Sequence, residues 1–292
     1  MSPSYEEPLY RPPSEAGSLI FQATLGCSHN RCSFCYMYKD KRFAPRPREE
    51  LLAEIDQAGR EYPDTRRVFL ADGDAFVLST ERLEEILDRL GASFPLLQRV
   101  SCYATPRNLL EKTVEQMRLL RGKKLSLLYY GVETGDPELL ERIDKGATPD
   151  EMAEGCARAH EAGLKLSVTM VLGLGGREGS MRHARLTAAL LGRIRPRYLS
   201  ALSLMRAPGF DGHAESMGPG FEPNTPLDDV RELRALVEAL ETDRCIFRSN
   251  HASNHLALAG TLVKDKGAIL RTIDEALVRP DRFLRPEWMR GL

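Results

Sequence analysis

Three cysteines, Cys27, Cys32 and Cys35, lie within nine consecutive residues and are the side chains of this sequence best suited to do chemistry. The apolar segment 19–25 comes directly before them. It is short, partly β-branched or aromatic and closed by Gly26, so it is predicted to be a buried strand. We therefore expect the thiols on a loop at the carboxyl end of a strand, where α/β sheets and barrels carry their chemistry.

The number of clustered cysteines is one fewer than a closed metal site normally uses. Structural zinc takes four protein ligands, and the common iron–sulfur clusters are usually held by four cysteines. The next cysteine in the sequence, Cys102, is too distant along the chain to belong to the same loop. A cluster held by three thiolates leaves one iron open to a ligand that is not protein, so the pattern indicates a reactive centre.

The cysteine spacing resembles the motif of the radical S-adenosylmethionine (radical SAM) family, C-x(3)-C-x(2)-C with an aromatic residue before the third cysteine. Phe34 is at the position of that aromatic residue, and the first spacing is four residues instead of three. The resemblance implies that Cys27, Cys32 and Cys35 bind a [4Fe-4S] cluster whose open iron binds the amino and carboxylate groups of SAM. It further implies reductive cleavage of SAM to methionine and a 5′-deoxyadenosyl radical, which abstracts hydrogen from a substrate.

Other interpretations of the cysteine group stay open at this point. A zinc knuckle would use His29 as its fourth ligand, although the spacing matches no common zinc finger. A thioredoxin-like pair of Cys32 and Cys35 would leave Cys27 without a role. A third alternative is a non-catalytic module in which zinc or an iron–sulfur cluster holds a partner-binding loop.

The amino-acid composition restricts the classes of molecule that this protein is expected to bind. The 292 residues contain 41 Lys and Arg against 42 Asp and Glu, and the resulting formal net charge of −1 argues against a strongly basic nucleic-acid footprint. We therefore expect a small polar metabolite or peptide substrate, with RNA modification as the alternative, and a flavodoxin- or ferredoxin-type electron donor. No apolar run of about 18 residues and no signal peptide are present, so we expect a protein of the reducing cytoplasm.

Strand-like and helix-like patterns alternate along most of the chain, which is typical of parallel βαβ units. The fold class is therefore predicted to be α/β, with a partial (β/α)6 barrel of parallel strands, the shape of the radical SAM core. We expect an extended lead-in over 1–17, too short for a separate cofactor domain, the core over 18–210, and a mostly helical extension over 211–292 that closes the barrel side. The predicted strands are 19–25, 67–71, 99–104, 125–132, 166–172 and 198–204.

Residues at the ends of the predicted strands are candidates for binding SAM. Asp72, Gly73 and Asp74 follow the second strand, where the family has a turn that binds the methionine ammonium. Glu133 follows the fourth strand, where related proteins place an acid or amide that reaches SAM. The glycine-rich segment from Gly173 follows the fifth strand and is expected to approach the adenosine. The alternatives are a solvated acidic turn, a helix-capping acid and a simple turn, respectively.

Two further strand-adjacent groups complete the expected cofactor and substrate contacts. Ser101 and Tyr103 share one face of the third strand, and we expect Ser101 to contact the cofactor and Tyr103 to contact the substrate. Lys145 is a candidate partner of the SAM carboxylate, and a solvated helix face is its alternative. The basic stretch 39–48 is expected to be a solvated loop, with a patch for an anionic substrate or electron donor as the alternative.

A polar segment in the last quarter of the chain contains the remaining candidate catalytic residues. Arg248, Asn250 and His251 are expected to line the open side of the barrel against a polar substrate. If this segment were helical, His251 and His255 would share one face and could bind a metal ion. A loop with satisfied hydrogen bonds is the alternative.

Overall fold

The strands form where apolar runs occur between helices. The computed structural model describes residues 5–206 and 210–291. In this part of the chain, eight strands form one sheet in the order β1-β4-β5-β6-β7-β8-β9-β10, and β2 pairs with β3 in a separate ribbon. The strands are β1 (Leu19–Gln22), β2 (Thr24–Leu25), β3 (Ala44–Pro45), β4 (Arg67–Ala71), β5 (Arg99–Ala104), β6 (Leu125–Glu133), β7 (Lys165–Leu172), β8 (Tyr198–Ser203), β9 (Ile246–Arg248) and β10 (Ala259–Thr261).

Helices follow most of these strands, as the alternating pattern predicts. Thr148 and Glu151 form the predicted capping box at the start of α6, with each side chain bonded to the other residue's backbone N–H. The helices are α1 (Arg48–Glu61), α2 (Thr80–Ser93), α3 (Pro106–Glu111), α4 (Val114–Gly122), α5 (Pro137–Arg142), α6 (Pro149–Glu161), α7 (Gly176–Ile194), α8 (Phe210–Met217), α9 (Pro226–Ala239), α10 (Leu262–Val278) and α11 (Pro280–Phe283).

Strand direction agrees with the predicted parallel architecture. Strands β1, β4, β5 and β6 pair in parallel, and so do β7, β8 and β9. A strand is present in each of the six predicted segments, so the α/β class and the parallel core are confirmed. The prediction of one strand over 19–25 is wrong, because the chain divides there into β1 in the large sheet and β2 in the ribbon with β3. The mostly helical extension also contributes β9, which is parallel to β8, and β10, which is antiparallel to β9. Both strands have three residues, too few for a clear alternating pattern.

The chain divides into two compact units. The first contains Met1–Asn30, Cys35–Tyr130 and Glu154–Leu166, and the second contains Arg31–Phe34, Gly131–Ala153 and Ser167–Leu292. Fully buried strand residues such as Phe69 and Leu128 form the core of the first unit. Leu199, Leu236 and Phe247 are fully buried in the second unit. The division at residues 17 and 210 stays a prediction. None of the helices in the described part of the chain combines the length and apolar composition that a bilayer crossing requires.

The lead-in contains a buried acidic residue that the prediction of an extended segment overlooks. Pro13–Glu15 forms a short 3₁₀ helix, and the Glu15 side chain is fully buried in the first unit. Its Oε1 accepts hydrogen bonds from Arg99 Nη2 at 2.7 Å and from the Tyr129 hydroxyl at 2.7 Å. A buried carboxylate needs such charge-assisted partners, so Glu15 fixes the lead-in to the start of β5 and the middle of β6.

Replacing Glu15 tests this attachment. We expect Glu15→Ala to lower the free energy of unfolding by about 3 kcal/mol, because the Arg99 and Tyr129 donors lose their shared acceptor. Urea denaturation followed by circular dichroism measures the change. Glu241→Ala, which removes an exposed carboxylate, is the control and should change stability by no more than about 0.5 kcal/mol. Equal stability of the two variants would contradict the attachment.

Candidate functional site

The six cysteines separate into two groups by exposure. Cys27, Cys32 and Cys35 are partly exposed on the loop after β2, whereas the other three, Cys102, Cys156 and Cys245, are buried in the core. None of the six forms a disulfide. Burial raises the pKa of the Cys102 thiol, as expected of a packing residue. The loop thiols are therefore the ones available as ligands, and three thiols are a suitable donor set for an iron–sulfur cluster.

The loop does not present a preformed metal cage. Among residues 5–206 and 210–291, no three His, Cys, Asp or Glu side chains are arranged to hold a metal ion. The zinc knuckle with His29 therefore has no support in the geometry, and neither does a His251–His255 metal site. The fit of the cysteine loop to a cluster rests on its chemistry, three partly exposed thiols outside any disulfide on one short loop, and on the way in which the rest of the structure anchors that loop.

A buried ion pair in the first unit fixes the returning end of the cysteine loop. Lys41 Nζ lies 2.9 Å from Asp72 Oδ2, and both side chains are almost completely buried. The same oxygen accepts a hydrogen bond from the Gly26 N–H at 3.2 Å. The expectation that the whole basic stretch 39–48 is solvated is thus wrong for Lys41. Asp72, at the end of β4, holds both the residue before Cys27 and the segment after Cys35.

The two residues after Asp72 are also closely packed. A Cβ atom on Gly73 would overlap the Tyr38 ring and lie 3.1 Å from the Cys27 Cβ, so only glycine fits there. Asp74 is fully buried and accepts a hydrogen bond from the Ser28 hydroxyl. Burial raises the pKa of Asp74 to about 6. Its Oδ1 has no hydrogen-bond partner within the described residues, which leaves one buried acceptor beside the cysteine loop.

The middle of the cysteine loop packs within the second unit. The Ser33 N–H donates to the Ile143 carbonyl at 3.0 Å, and Phe34 packs against a buried apolar cluster. His213 lies within hydrogen-bonding distance of the Ser33 hydroxyl through Nδ1, at 3.3 Å, and of the Leu174 carbonyl through Nε2, at 3.1 Å. The segment around Cys32 is therefore held by α8 and by the turn after β7. The apolar cluster consists of Leu139, Ile143, Val171 and Leu174.

Glu133 adopts an unusual backbone conformation at the end of β6. Its φ of 63° lies in the left-handed region, which a non-glycine residue rarely adopts. The Glu133 carboxylate forms an ion pair with Lys145 at 2.9 Å, and both side chains are mostly buried. A Cβ atom on Gly131 would overlap Glu133 Oε1, so that glycine makes room for the carboxylate. Two residues predicted to contact SAM, Glu133 and Lys145, therefore contact one another here.

Gly173 also has a backbone conformation that favours glycine. Its φ is 82°, and an added Cβ atom would lie 3.2 Å from Asp229 Oδ1. The Gly173 N–H donates to Glu232 Oε1 at 3.0 Å. Asp229 and Glu232 are not among the site residues predicted from the sequence, although the sequence contains a signal for them. Both are acidic residues adjoining the apolar face of α9, and both are buried.

Ser101 and Tyr103 lie on β5 in the first unit. Ser101 is buried, and its hydroxyl donates to the Val68 carbonyl at 3.4 Å. The Tyr103 ring packs edge-on against Phe69 and Tyr129, with centroid distances of 5.3 Å and 5.9 Å. Burial raises the pKa of the Tyr103 hydroxyl, so the side chain is an uncharged phenol at neutral pH.

The polar segment after β9 is a turn rather than a helix, so the helical pair of His251 and His255 is wrong. Arg248 and Asn250 are exposed, whereas His251 is partly buried and lies 2.9 Å from the Ser253 hydroxyl through Nδ1. Asn254 Nδ2 donates to the Ala201 carbonyl at 2.8 Å. These bonds fix the turn beside β8 and agree with the alternative of a satisfied loop.

Lys41→Met tests the anchoring of the cysteine loop. We expect this variant to lose about 3 kcal/mol of unfolding free energy, because it leaves the Asp72 carboxylate buried without its cation. Thermal and urea denaturation measure the change. Arg42→Met removes the same charge from an exposed neighbour and should shift stability by less than about 0.5 kcal/mol. A Lys41→Met protein as stable as the Arg42→Met protein would exclude the ion pair as an anchor.

Comparison with curated proteins found two relatives that match part of the chain. The heme chaperone HemW of Bacillus subtilis is 26% identical over 129 residues, which is 44% of this chain and 34% of HemW. The 4'-phospho-dehydrooxetanocin synthase of Priestia megaterium is 22% identical over 174 residues, 53% of this chain and 23% of the synthase. The matches thus span about a third or less of either relative.

Comparison with solved structures supports the fold. Coproporphyrinogen III oxidase (HemN) from Escherichia coli aligns with a TM-score of 0.56 and 16% identity, over 73% of this chain and 50% of HemN. Methylornithine synthase (PylB) aligns with a TM-score of 0.52 and 16% identity, over 76% of this chain and 63% of PylB. HemN is itself described as a radical SAM enzyme.

A family profile covers the cysteine loop, β4 to β7 and most of α7. The profile of the radical SAM superfamily matches residues 21–186, more than half of the chain. The matched region includes Cys27, Cys32 and Cys35 and the ends of four strands that carry candidate SAM contacts. The chain belongs to the radical SAM superfamily.

Proposed function

We propose that this enzyme binds a [4Fe-4S] cluster through Cys27, Cys32 and Cys35 and uses it with SAM to abstract hydrogen from a small polar metabolite or a peptide. The observation that carries the proposal is the difference in exposure between two groups of cysteines, in a chain that matches the radical SAM profile. Three partly exposed thiols, none in a disulfide, lie on one loop, while the remaining three are buried in the core. When bound, the reduced cluster supplies one electron that breaks the S–C5′ bond of SAM, which gives methionine and a 5′-deoxyadenosyl radical.

The acidic residues at the strand ends would bind the methionine part of SAM. Asp74 has a buried acceptor atom without a partner, and an ammonium group would satisfy it with a charge-assisted hydrogen bond. Asp72 and Gly73 would hold the turn on which Asp74 lies, since Asp72 is engaged with Lys41 and Gly73 leaves room for Tyr38. The chain's part in this step is to orient the cofactor.

A second set of residues would bind the other parts of SAM. Lys145 would donate to the SAM carboxylate and Glu133 would accept from a SAM hydroxyl or ammonium group, after their mutual ion pair has opened or widened. Gly173 would let the backbone approach the adenosine closely, because it has no side chain in the turn after β7. Phe34 and Ser101 would shape the apolar and polar walls beside the cofactor.

On the substrate side, Tyr103, Arg248, Asn250 and His251 are the proposed contacts. Tyr103 would present an uncharged phenol, while the polar side chains of Arg248 and Asn250 are exposed. Burial lowers the pKa of His251, so its imidazole is neutral at pH 7 and suited to hydrogen bonding. We propose a flavodoxin- or ferredoxin-type protein as electron donor and the cytoplasm as the compartment, since none of the six cysteines forms a disulfide.

Anaerobic reconstitution tests the reaction directly. The protein loaded with iron and sulfide, then given dithionite and SAM, is expected to form 5′-deoxyadenosine and methionine in equal amounts, because both come from one bond cleavage. Liquid chromatography with mass spectrometry measures both products. A preparation with about four irons per chain that forms neither product would exclude the proposed activity, and a colourless zinc-containing protein would favour the non-catalytic module.

Single-cysteine variants test the ligand assignment. We expect Cys32→Ala to lose the four-iron cluster and its brown absorption, because two thiolates are too few to retain it. Cys156→Ala removes a buried core thiol and should keep the iron and sulfide content of the parent protein. Iron and sulfide analysis, with the visible spectrum, gives the result. Full cluster content in Cys32→Ala would contradict the assignment.

A further inference from the structure

A fully buried carboxylate lies outside the residues that the family profile matches, yet it contacts the turn after β7. Glu232, on α9, accepts a hydrogen bond from the Gly173 N–H at 3.0 Å through Oε1. Its other oxygen accepts from the Ser180 hydroxyl at 2.5 Å and from Asn224 Nδ2 at 2.9 Å. Three donors from three segments thus converge on one side chain of α9.

The same carboxylate lies beside a histidine that contacts the residue after Glu133. His183 Nε2 lies 3.3 Å from Glu232 Oε1, although outside hydrogen-bonding geometry. The other nitrogen of His183, Nδ1, is 2.8 Å from the Thr134 hydroxyl. Burial lowers the pKa of His183 to about 4, so the imidazole is neutral and supplies no cation to Glu232. Packing and hydrogen bonds, rather than a cation, therefore accompany this carboxylate.

Burying an acidic side chain at position 232 costs free energy, which indicates that its acceptor atoms are needed. Burial raises the pKa of Glu232 to about 7, because the interior disfavours the charged form. Leu233 and Leu236 on the same helix are almost completely buried, so an apolar residue at 232 would suit the local pattern and avoid that cost. Such a residue would leave the Gly173 N–H without its acceptor.

We propose that Glu232 is a positioning residue for SAM. It fixes Gly173 directly, and it lies beside His183, whose Nδ1 contacts Thr134, the residue after Glu133. Both Gly173 and Glu133 have positive φ angles, so their conformations depend on surrounding contacts to persist. The inference rests on the proposed function, because Gly173 and Glu133 matter here as SAM contacts.

Two conservative variants separate the effect of the length of this side chain from the effect of its charge. Glu232→Asp keeps the charge but withdraws the oxygens from Gly173 by about one carbon–carbon bond length. Glu232→Gln loses the charge but keeps an oxygen that can accept from the Gly173 N–H. If Glu232 positions the turn, we expect Asp to raise the SAM dissociation constant about tenfold and Gln to raise it by less than about threefold. Anaerobic equilibrium dialysis with labelled SAM, at equal iron content, measures both.

Hydrogen exchange supplies a readout that does not depend on SAM or on the cluster. In Glu232→Asp, the amides of residues 171–176 should exchange at least about threefold faster than in the parent protein, while those of β4 should not change. Glu238→Gln alters an exposed carboxylate of α9 that pairs with Arg234 at 2.9 Å and should affect neither measurement.

The outcomes distinguish this inference from the proposed function. Failure of the parent protein with its cluster to bind SAM would remove the proposed function itself. If the parent protein binds SAM and the two variants have equal affinities for SAM, the positioning role is overturned. The same holds if Glu232→Gln binds SAM more weakly than Glu232→Asp. If Glu232→Gln failed to fold, unchanged hydrogen exchange at residues 171–176 in Glu232→Asp would overturn the positioning role. If Glu232→Asp failed to fold, a tenfold weaker SAM affinity of Glu232→Gln would overturn it.

Discussion

The ion pair between Lys41 and Asp72 is the contact on which the arrangement of the cysteine loop depends. A carboxylate at the end of a buried strand is costly unless a cation and hydrogen-bond donors surround it. Asp72 has both, because it also accepts from the Gly26 N–H just before Cys27. The loop between these two anchors is therefore short and closed at its base, whatever the thiols bind.

The same principle recurs elsewhere in the molecule, each time with a different partner. Glu15 is held by Arg99 and Tyr129, Glu133 by Lys145, and Glu232 by neutral donors alone. For Glu15 and Glu133, as for Asp72, a cation makes the buried charge tolerable, whereas Glu232 relies on oriented dipoles. Buried acids with known partners connect segments far apart in the sequence, which the alternation of strands and helices alone does not do.

The parallel core could be predicted from the sequence because long apolar runs are strong local signals. The runs at Arg67–Ala71 and Leu125–Glu133 became strands at nearly the expected bounds. The three-residue β9 was missed because so short a segment has no readable period, and it forms only through pairing with β8. Lys41 was misjudged since its neighbours are charged and exposed, and only the tertiary position of Asp72 explains its burial. Asp229 and Glu232 had a local signal, an acid adjoining an apolar helix face, but the partners that make them useful are remote.

The distance in sequence between Gly173 and Glu232 has a consequence for biosynthesis. The two residues are 59 positions apart, and the acceptor comes second. A ribosome adds roughly 5–20 residues per second, so several seconds pass between the emergence of the glycine turn and that of its acceptor. During this interval the matched core region is already outside or leaving the ribosome while its turn lacks one hydrogen bond. The turn at Gly173 can therefore gain this hydrogen bond only after α9 has been made.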